Sequence, residues 1–461
     1  MNFSQFIGDK AFYKRVTLVA GPILVQNVIT NFVNLLDNVM VGQVGTEPMS
    51  GVAIVNQLMF VFNLCIFGGH AGPGILSAQY YGKGDLEGVR RTFRIKLYFG
   101  LIAVALFIGV FLSFGENLIS LFLHKGQDDL DLAATLAYGK DYMAVILFQM
   151  LPFVIMQSYA SSLRETGETM LPMKAGIVAV AVNMVGNYIL IFGKFGAPEL
   201  GVVGAAIATV ISRIVECAIV VIWTHTHRQR CAFSSGLYRT LGVPKELLKK
   251  IAIMGAPLLA NEVLWSAGMT TLNQCYSVRG LEVVSATNIS STVSNLFFCL
   301  FFAIANTVSI LVGQLLGAGQ LEQAVDEDRK LIAFSVVLNV FVGIIMVLLA
   351  PLIPAIYNTT DTVKDLAASM LRVSALMMPF NAFSHAAYFT LRSGGKTVVT
   401  FLFDCGFMWV ICIPLALVLS RLTSMPIVPM FLCIQLLEAV KCVIGAFLLR
   451  SRIWVNNLVR E

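Results

Sequence analysis

Three carboxylic acids interrupt the long apolar runs of this chain: Asp37, Glu262 and Asp404. An acid at the centre of a bilayer costs about 2.5–3.5 kcal/mol on insertion scales, so one found there is a candidate for function. Asp37 stands beside the end of a polar stripe, Asn27, Asn31, Asn34 and Asn38, whose spacing of four, three and four draws one helix face. In lipid such a face must look onto protein or a water-filled cavity. Glu262 follows Pro257 and heads a second stripe, Ser266, Thr270 and Asn273. Asn288, Ser291, Thr292 and Asn295 share a face of the next apolar run, and Asn183 and Asn187 lie one helical turn apart. Asp404 lies within FLFDCGFMW. A carboxylate among hydroxyls and amides can bind Na+ through oxygen ligands, or exchange a proton. Glu262 and Asp404 could share a Na+ if their helices face each other.

Other titratable groups read more simply. Arg213–Glu216 and Glu438–Lys441 have the i, i+3 spacing of structural ion pairs. His70 and His385 are lone histidines in apolar runs and read as hydrogen-bonded packing. The nine Cys show no CxxC and no zinc spacing. There is no HExxH or GxSxG, and Gly395-Lys396-Thr397 lacks the Gly that a phosphate loop needs at Thr390. The chain reads as no enzyme, and any transport would draw on an ion gradient rather than ATP.

The elements that must position these residues are membrane helices. Of the 461 residues 57% are hydrophobic and 13% charged, with a mean hydropathy of +0.80. Soluble domains are about 45–50% apolar and about 25% charged, so this composition excludes cytosolic enzymes, secreted domains and disordered tails. The membrane-barrel pattern of short alternating strands is missing, which leaves helices. A spanning helix needs about 20 residues. The runs predict twelve, at 16–41, 51–80, 95–122, 133–162, 170–192, 202–224, 250–277, 283–313, 331–356, 364–390, 398–420 and 427–449. The N-terminal apolar run begins too late for a cleaved signal peptide.

Most of the 32 Lys and Arg fall in connectors on one side, among them Arg90, Arg94, Lys96, Arg228, Arg230, Lys249 and Arg452. Few lie on the other side, where Lys125, Lys194 and Arg279 are examples. That bias places both termini and the 225–249 segment in the cytoplasm of a multi-pass protein of the cell inner membrane. The net charge of +6 follows from these loops and needs no nucleic-acid partner.

The chain repeats itself. QYYGKGDLE at 79–87 matches QLLGAGQLE at 314–322, and Leu163-Arg164-x-x-Gly167-x-Thr169 matches Leu391-Arg392-x-x-Gly395-x-Thr397. Each half holds six predicted helices, so the halves share an orientation. The expected fold is therefore an all-α integral membrane protein, with two six-helix lobes related by a pseudo-two-fold axis along the membrane normal. The first lobe covers 1–224, a linker 225–249, and the second lobe 250–461.

With these features in hand, the sequence resembles the bacterial multidrug and toxic compound extrusion (MATE) transporters. The first-helix Asp37 followed by Val41-Gly42, the paired QxxGxGxLE and LRxxGxT segments, and Pro257 before Glu262 occur in the order of that family. The resemblance covers nearly the whole chain. It implies export of organic cations and amphipathic toxicants in exchange for Na+ or H+, by alternating access and without a further cofactor. It places Glu262 on the family's helix-7 cation-site acid and Asp37 on its helix-1 acid. One prokaryotic branch pairs a helix-5 Asn with an Asp four residues on; here that position is Asn187, which shifts weight toward Glu262 and Asp404, or toward a site divided between the lobes. Asn34, Asn183, Asn187, Asn273 and Asn288 are the expected polar lining. Small-molecule cations and membrane lipids are the expected partners of a monomer. The alternative is a flippase for a lipid-linked polar precursor. Such a cargo would need several cavity cations, and acids dominate here.

Overall fold

The computed structural model describes residues 3–123, 131–357 and 359–460, and the side chains at 3–4, 33–35 and 38–39 lie outside the described set. The predicted Lys125 therefore lies outside the described residues, as do the side chains of Asn34 and Asn38. No strand occurs among the described residues. The helices are, in order, α1 Lys10–Gly42, α2 Thr46–Lys83, α3 Leu86–Ser120, α4 Leu132–Ile146, α5 Met150–Glu165, α6 Met170–Phe192, α7 Gly201–Thr226, α8 Lys245–Ser277, α9 Leu281–Gly317, α10 Leu321–Leu349, α11 Leu352–Ala355, α12 Asp361–Ser393, α13 Thr397–Phe401, α14 Ile413–Leu422, α15 Ile427–Gln435 and α16 Leu437–Arg450.

The apolar run at 133–162 is not one straight helix: a 3-10 turn, Leu147–Gln149, separates α4 from α5. Between α13 and α14 the chain takes two π-helical turns, Leu402–Gly406 and Met408–Cys412. The first of them carries Asp404. Such turns are rare and cluster at functional positions. Ten helical segments among the described residues are long and apolar enough to cross a membrane. Lys10–Gly42 and Lys245–Ser277 are not in that set. They are the helices that carry Asp37 and Glu262, and each holds a proline, Pro22 or Pro257.

The chain packs as two compact units, one of residues 1–24, 78–85 and 249–461, the other of 25–77 and 86–248. In the first, Val308, Leu311 and Leu316 of α9 meet Leu331 of α10, Ala386 and Leu391 of α12, and Phe12 and Val16 of α1. In the second, Phe62 of α2 packs against Phe107 at 5.3 Å and Phe153 at 6.1 Å, and Phe93 of α3 against Tyr159 at 4.7 Å.

Small residues let helix backbones touch, the usual device where lipid supplies no hydrophobic drive between helices. A Cβ on Gly186 of α6 would meet the Ala208 Cβ of α7 at 2.9 Å, which sets the close pairing of those helices. The repeated QxxG motif has a reciprocal role. A side chain at Gly82 would strike the Gln314 carbonyl, and one at Gly317 would strike the Gln79 carbonyl. The two copies of the motif thus cross glycine to backbone, each filling the space that the other leaves. The C-terminal segment fastens this crossing: Gln79 Nε2 donates to the Asn456 carbonyl at 3.2 Å, and Gln79 Oε1 accepts from the Leu458 amide at 2.7 Å.

Candidate functional site

Two polar cavities hold the acids singled out by sequence. The first, of about 480 Å³, lies within the unit of 25–77 and 86–248. Asp37 of α1, Asn183 and Asn187 of α6 and Thr209 of α7 line it. Because Asn183 and Asn187 are one turn apart on α6, both amides reach the same carboxylate. Asn187 Nδ2 donates to Asp37 Oδ1 at 2.6 Å. With its amide turned so that both ends are satisfied, Asn183 donates to Asp37 Oδ1 at 2.8 Å and sets its carbonyl 3.2 Å from the Thr209 hydroxyl. Asn187 Oδ1 is buried and has no hydrogen-bond partner. Tyr142 and Asn56 lie on the same wall, the phenol donating to Asn56 Oδ1 at 3.2 Å. Arg213 also lines the cavity, but its guanidinium pairs with Glu216 at 2.8 Å. Among the described residues no base lies within ion-pair distance of Asp37. The cavity therefore holds, beside the paired Arg213 and Glu216, one carboxylate, Asp37, whose partners are neutral amides.

The second cavity, of about 200 Å³, lies within the unit of 1–24, 78–85 and 249–461. It brings Glu262 of α8 and Asp404 of the π turn onto one lining. Their environments differ. Asp404 Oδ1 accepts from Lys441 Nζ of α16 at 2.7 Å, and Oδ2 accepts from Asn261 Nδ2 at 3.0 Å. Lys441 is 3.8 Å from Glu438 and 5.3 Å from the centre of the Phe403 ring. Glu262 has no hydrogen bond or ion pair among the described residues, and it shares the cavity with Arg392, Ser384 and Tyr388. Asn261 Oδ1 is buried without a partner. His385 also lines this cavity, with Nδ1 2.9 Å from the Asn381 carbonyl and its ring 4.6 Å from Phe301.

Asn273 and Asn288 are exposed and line neither cavity. The side chain of Asn34 lies outside the described residues. The sequence reading missed Asn261, Arg392 and Lys441 as cavity residues. Lys441 had a local partner in Glu438, and no helical spacing reveals a partner on another element. A larger apolar groove of about 550 Å³ between α6 and α7, lined by Ile177, Val185 and Ile211, carries no chemistry.

Two cations assigned to a connector prove to be buried in α3. Lys96 is fully buried and donates to Glu165 at 2.5 Å and to Ser162 at 3.1 Å. Arg94 binds Glu87 at 2.9 Å and the Leu237 carbonyl at 3.0 Å. One turn to either side, Arg90 donates to the Phe233 carbonyl at 3.1 Å and Tyr98 to the Leu241 carbonyl at 2.7 Å. The basic segment after α7 is thus docked along α3 by three donors spaced four residues apart.

Apolar helices long enough to cross a membrane, with polar groups gathered into two cavities, are what a membrane transporter requires. The MatE family model matches residues 22–189 and 257–418, and the chain belongs to that family of multidrug efflux transporters. It is 27% identical over 413 residues to a probable multidrug resistance protein NorM of Thermotoga maritima, covering 88% of this chain and 86% of the relative. It is 24% identical over 425 residues to the probable multidrug resistance protein YoeA of Bacillus subtilis, covering 90% of this chain and 88% of the relative. Among solved structures, an outward-facing multidrug resistance MATE family transporter matches with a TM-score of 0.84 at 19% identity, over 98% of this chain and 97% of that one. A MOP superfamily transporter from Pyrococcus furiosus, whose pocket of reverse polarity is said to suggest a different function, matches with a TM-score of 0.86 at 19% identity over the same shares. At such identity the likeness shows the fold, and cargo polarity has to be argued from the cavities. The flippase alternative is not favoured by these relatives.

Proposed function

We propose that this protein is a cation-coupled antiporter that exports organic cations and amphipathic drugs across the inner membrane, with both termini in the cytoplasm. The observation that carries the reading is Asp37, a carboxylate set in a polar cavity and held by two neutral amides rather than by a base. Such a group gains most from a cation. Na+ would find oxygen ligands in Asp37 and in the unpartnered Asn187 Oδ1; a proton would neutralise the same carboxylate. Either event removes a buried charge and so favours one arrangement of the helices over another. Cargo that stabilises the opposite arrangement is then expelled as the ion moves inward, because coupling needs ligands that prefer different states.

Glu262 is a second acid for the same cycle, with Asp404 beside it in a cavity that also holds Arg392, Lys441 and His385. In this reading the two cavities divide the work between ion and cargo. The test is export of ethidium from proteoliposomes under an imposed Na+ or pH gradient, one at a time. Export that follows one gradient and reverses with it is expected. Export indifferent to both would overturn the reading.

A further inference from the structure

We infer that Lys441 is the residue that keeps Na+ out of the Glu262 cavity, its ammonium holding the place against Asp404 that a metal cation would take. The inference deepens the coupling proposal and rests on it, since it concerns which ion one of the two cavities admits.

A hard monovalent metal needs several oxygen ligands converging on one point. The cavity offers such oxygens in Glu262, Asp404, Asn261, Ser384 and Tyr388. The two oxygens of Asp404 are already engaged, one by Lys441 at 2.7 Å and the other by Asn261 at 3.0 Å. The ammonium is compact, singly charged and donates up to three hydrogen bonds, so it meets the carboxylate much as a small cation would. Glu438 lies 3.8 Å from it, and the centre of the Phe403 ring 5.3 Å away.

Charge points the same way. The ionisable groups lining the cavity are Glu262 on α8, His385 and Arg392 on α12, Asp404 on the π turn and Lys441 on α16, with Tyr388 as a phenol. Two acids face two cationic side chains, with the His385 imidazole besides, so an added metal ion would meet like charge from both Lys441 and Arg392. The Asp37 cavity is built the other way: its single base, Arg213, is bonded to Glu216, and Asp37 keeps only amide partners. Without the ammonium, the Glu262 cavity would also carry a surplus acid. Asp404 Oδ1, the buried unpartnered Asn261 Oδ1 and the Glu262 carboxylate would then stand as free ligands.

The test is binding of radiolabelled Na+ to the full chain, purified in detergent, in an Asp37→Asn background so that only the Glu262 cavity is read. No saturable binding is expected in Asp37→Asn alone or with Lys441→Arg added. Adding Lys441→Gln should create saturable binding, and adding Asp404→Asn to that variant should abolish it. Saturable Na+ binding in Asp37→Asn alone would overturn the inference, and this arm needs no change at Lys441. So would a monodisperse Asp37→Asn/Lys441→Gln protein that binds none. Failure of the coupling proposal is read separately, as export by the unaltered protein that ignores both gradients.

Discussion

Asp37 and Asp404 are both aspartates in apolar helices, yet one is held by two amides and the other by an ammonium and an amide. The difference decides what each can do. An acid paired with Lys441 already has its counter-charge, and removing either partner leaves the other buried alone. An acid held by Asn183 and Asn187 is oriented but not neutralised, so it remains able to take a cation from outside. Two cavities with similar lists of residues therefore have different electrostatic tasks, and the task is set by where the bases point.

That contrast can be broken most severely at Asp37. Asp37→Asn should lower gradient-driven ethidium export by more than about tenfold, the change that a loss of only ~1.4 kcal/mol produces, while the protein still reaches the membrane. Asp404→Asn should act differently, through stability. It leaves Lys441 without its nearest acid, and such a break costs about 3–5 kcal/mol in buried pairs. A thermal melt of the purified protein should show a lower midpoint for Asp404→Asn or Lys441→Gln than for the double variant, which removes both charges together. Equal destabilisation by all three would mean that the pair is not a unit.

A smaller effect is expected at Asn187. Asn187→Ala removes one hydrogen bond to a charged group, worth about 1.5–3 kcal/mol, and leaves Asn183 in place. Export should persist with a raised requirement for the coupling ion, read as a shift in half-saturation rather than a loss of maximal rate. The smallest change in chemistry, and a test of scaffold rather than cavity, is Gly82→Ala. It places a methyl against the Gln314 carbonyl, and overpacking of this kind costs about 1–3 kcal/mol. Gly317→Ala should match it, since the contact is reciprocal; a clear inequality in melting midpoint would show that the two copies of the motif are not equivalent.

Much of this was legible in the sequence because it depends on local spacing. The apolar runs gave helices close to their observed positions, and the one-turn spacing of Asn183 and Asn187 put both amides on the face that meets Asp37. The repeated QxxG segments marked themselves as a pair, though only the structure shows that they touch each other. What stayed hidden depends on contacts between elements distant in the chain. Lys441 had Glu438 at i, i+3 as an obvious partner, yet it lies nearer Asp404, with 2.7 Å against 3.8 Å. The π turn that aims Asp404 has no marker such as Pro or Gly–Gly in FLFDCGFMW. Arg94 and Lys96 looked like loop cations because charge usually signals solvent; here Glu87, Glu165 and backbone carbonyls replace the water. Asn273 and Asn288 line neither of these two cavities, since a polar stripe fixes a face but not what it faces.

The central claim is that a cation taken up at Asp37 drives export. The most direct measurement compares wild type and Asp37→Asn in proteoliposomes of equal protein content, following ethidium movement and coupling-ion flux together under the gradient that drives the wild type. Both fluxes should fall to the level of protein-free vesicles in Asp37→Asn. Ion flux and export that survive together in that variant would contradict the account.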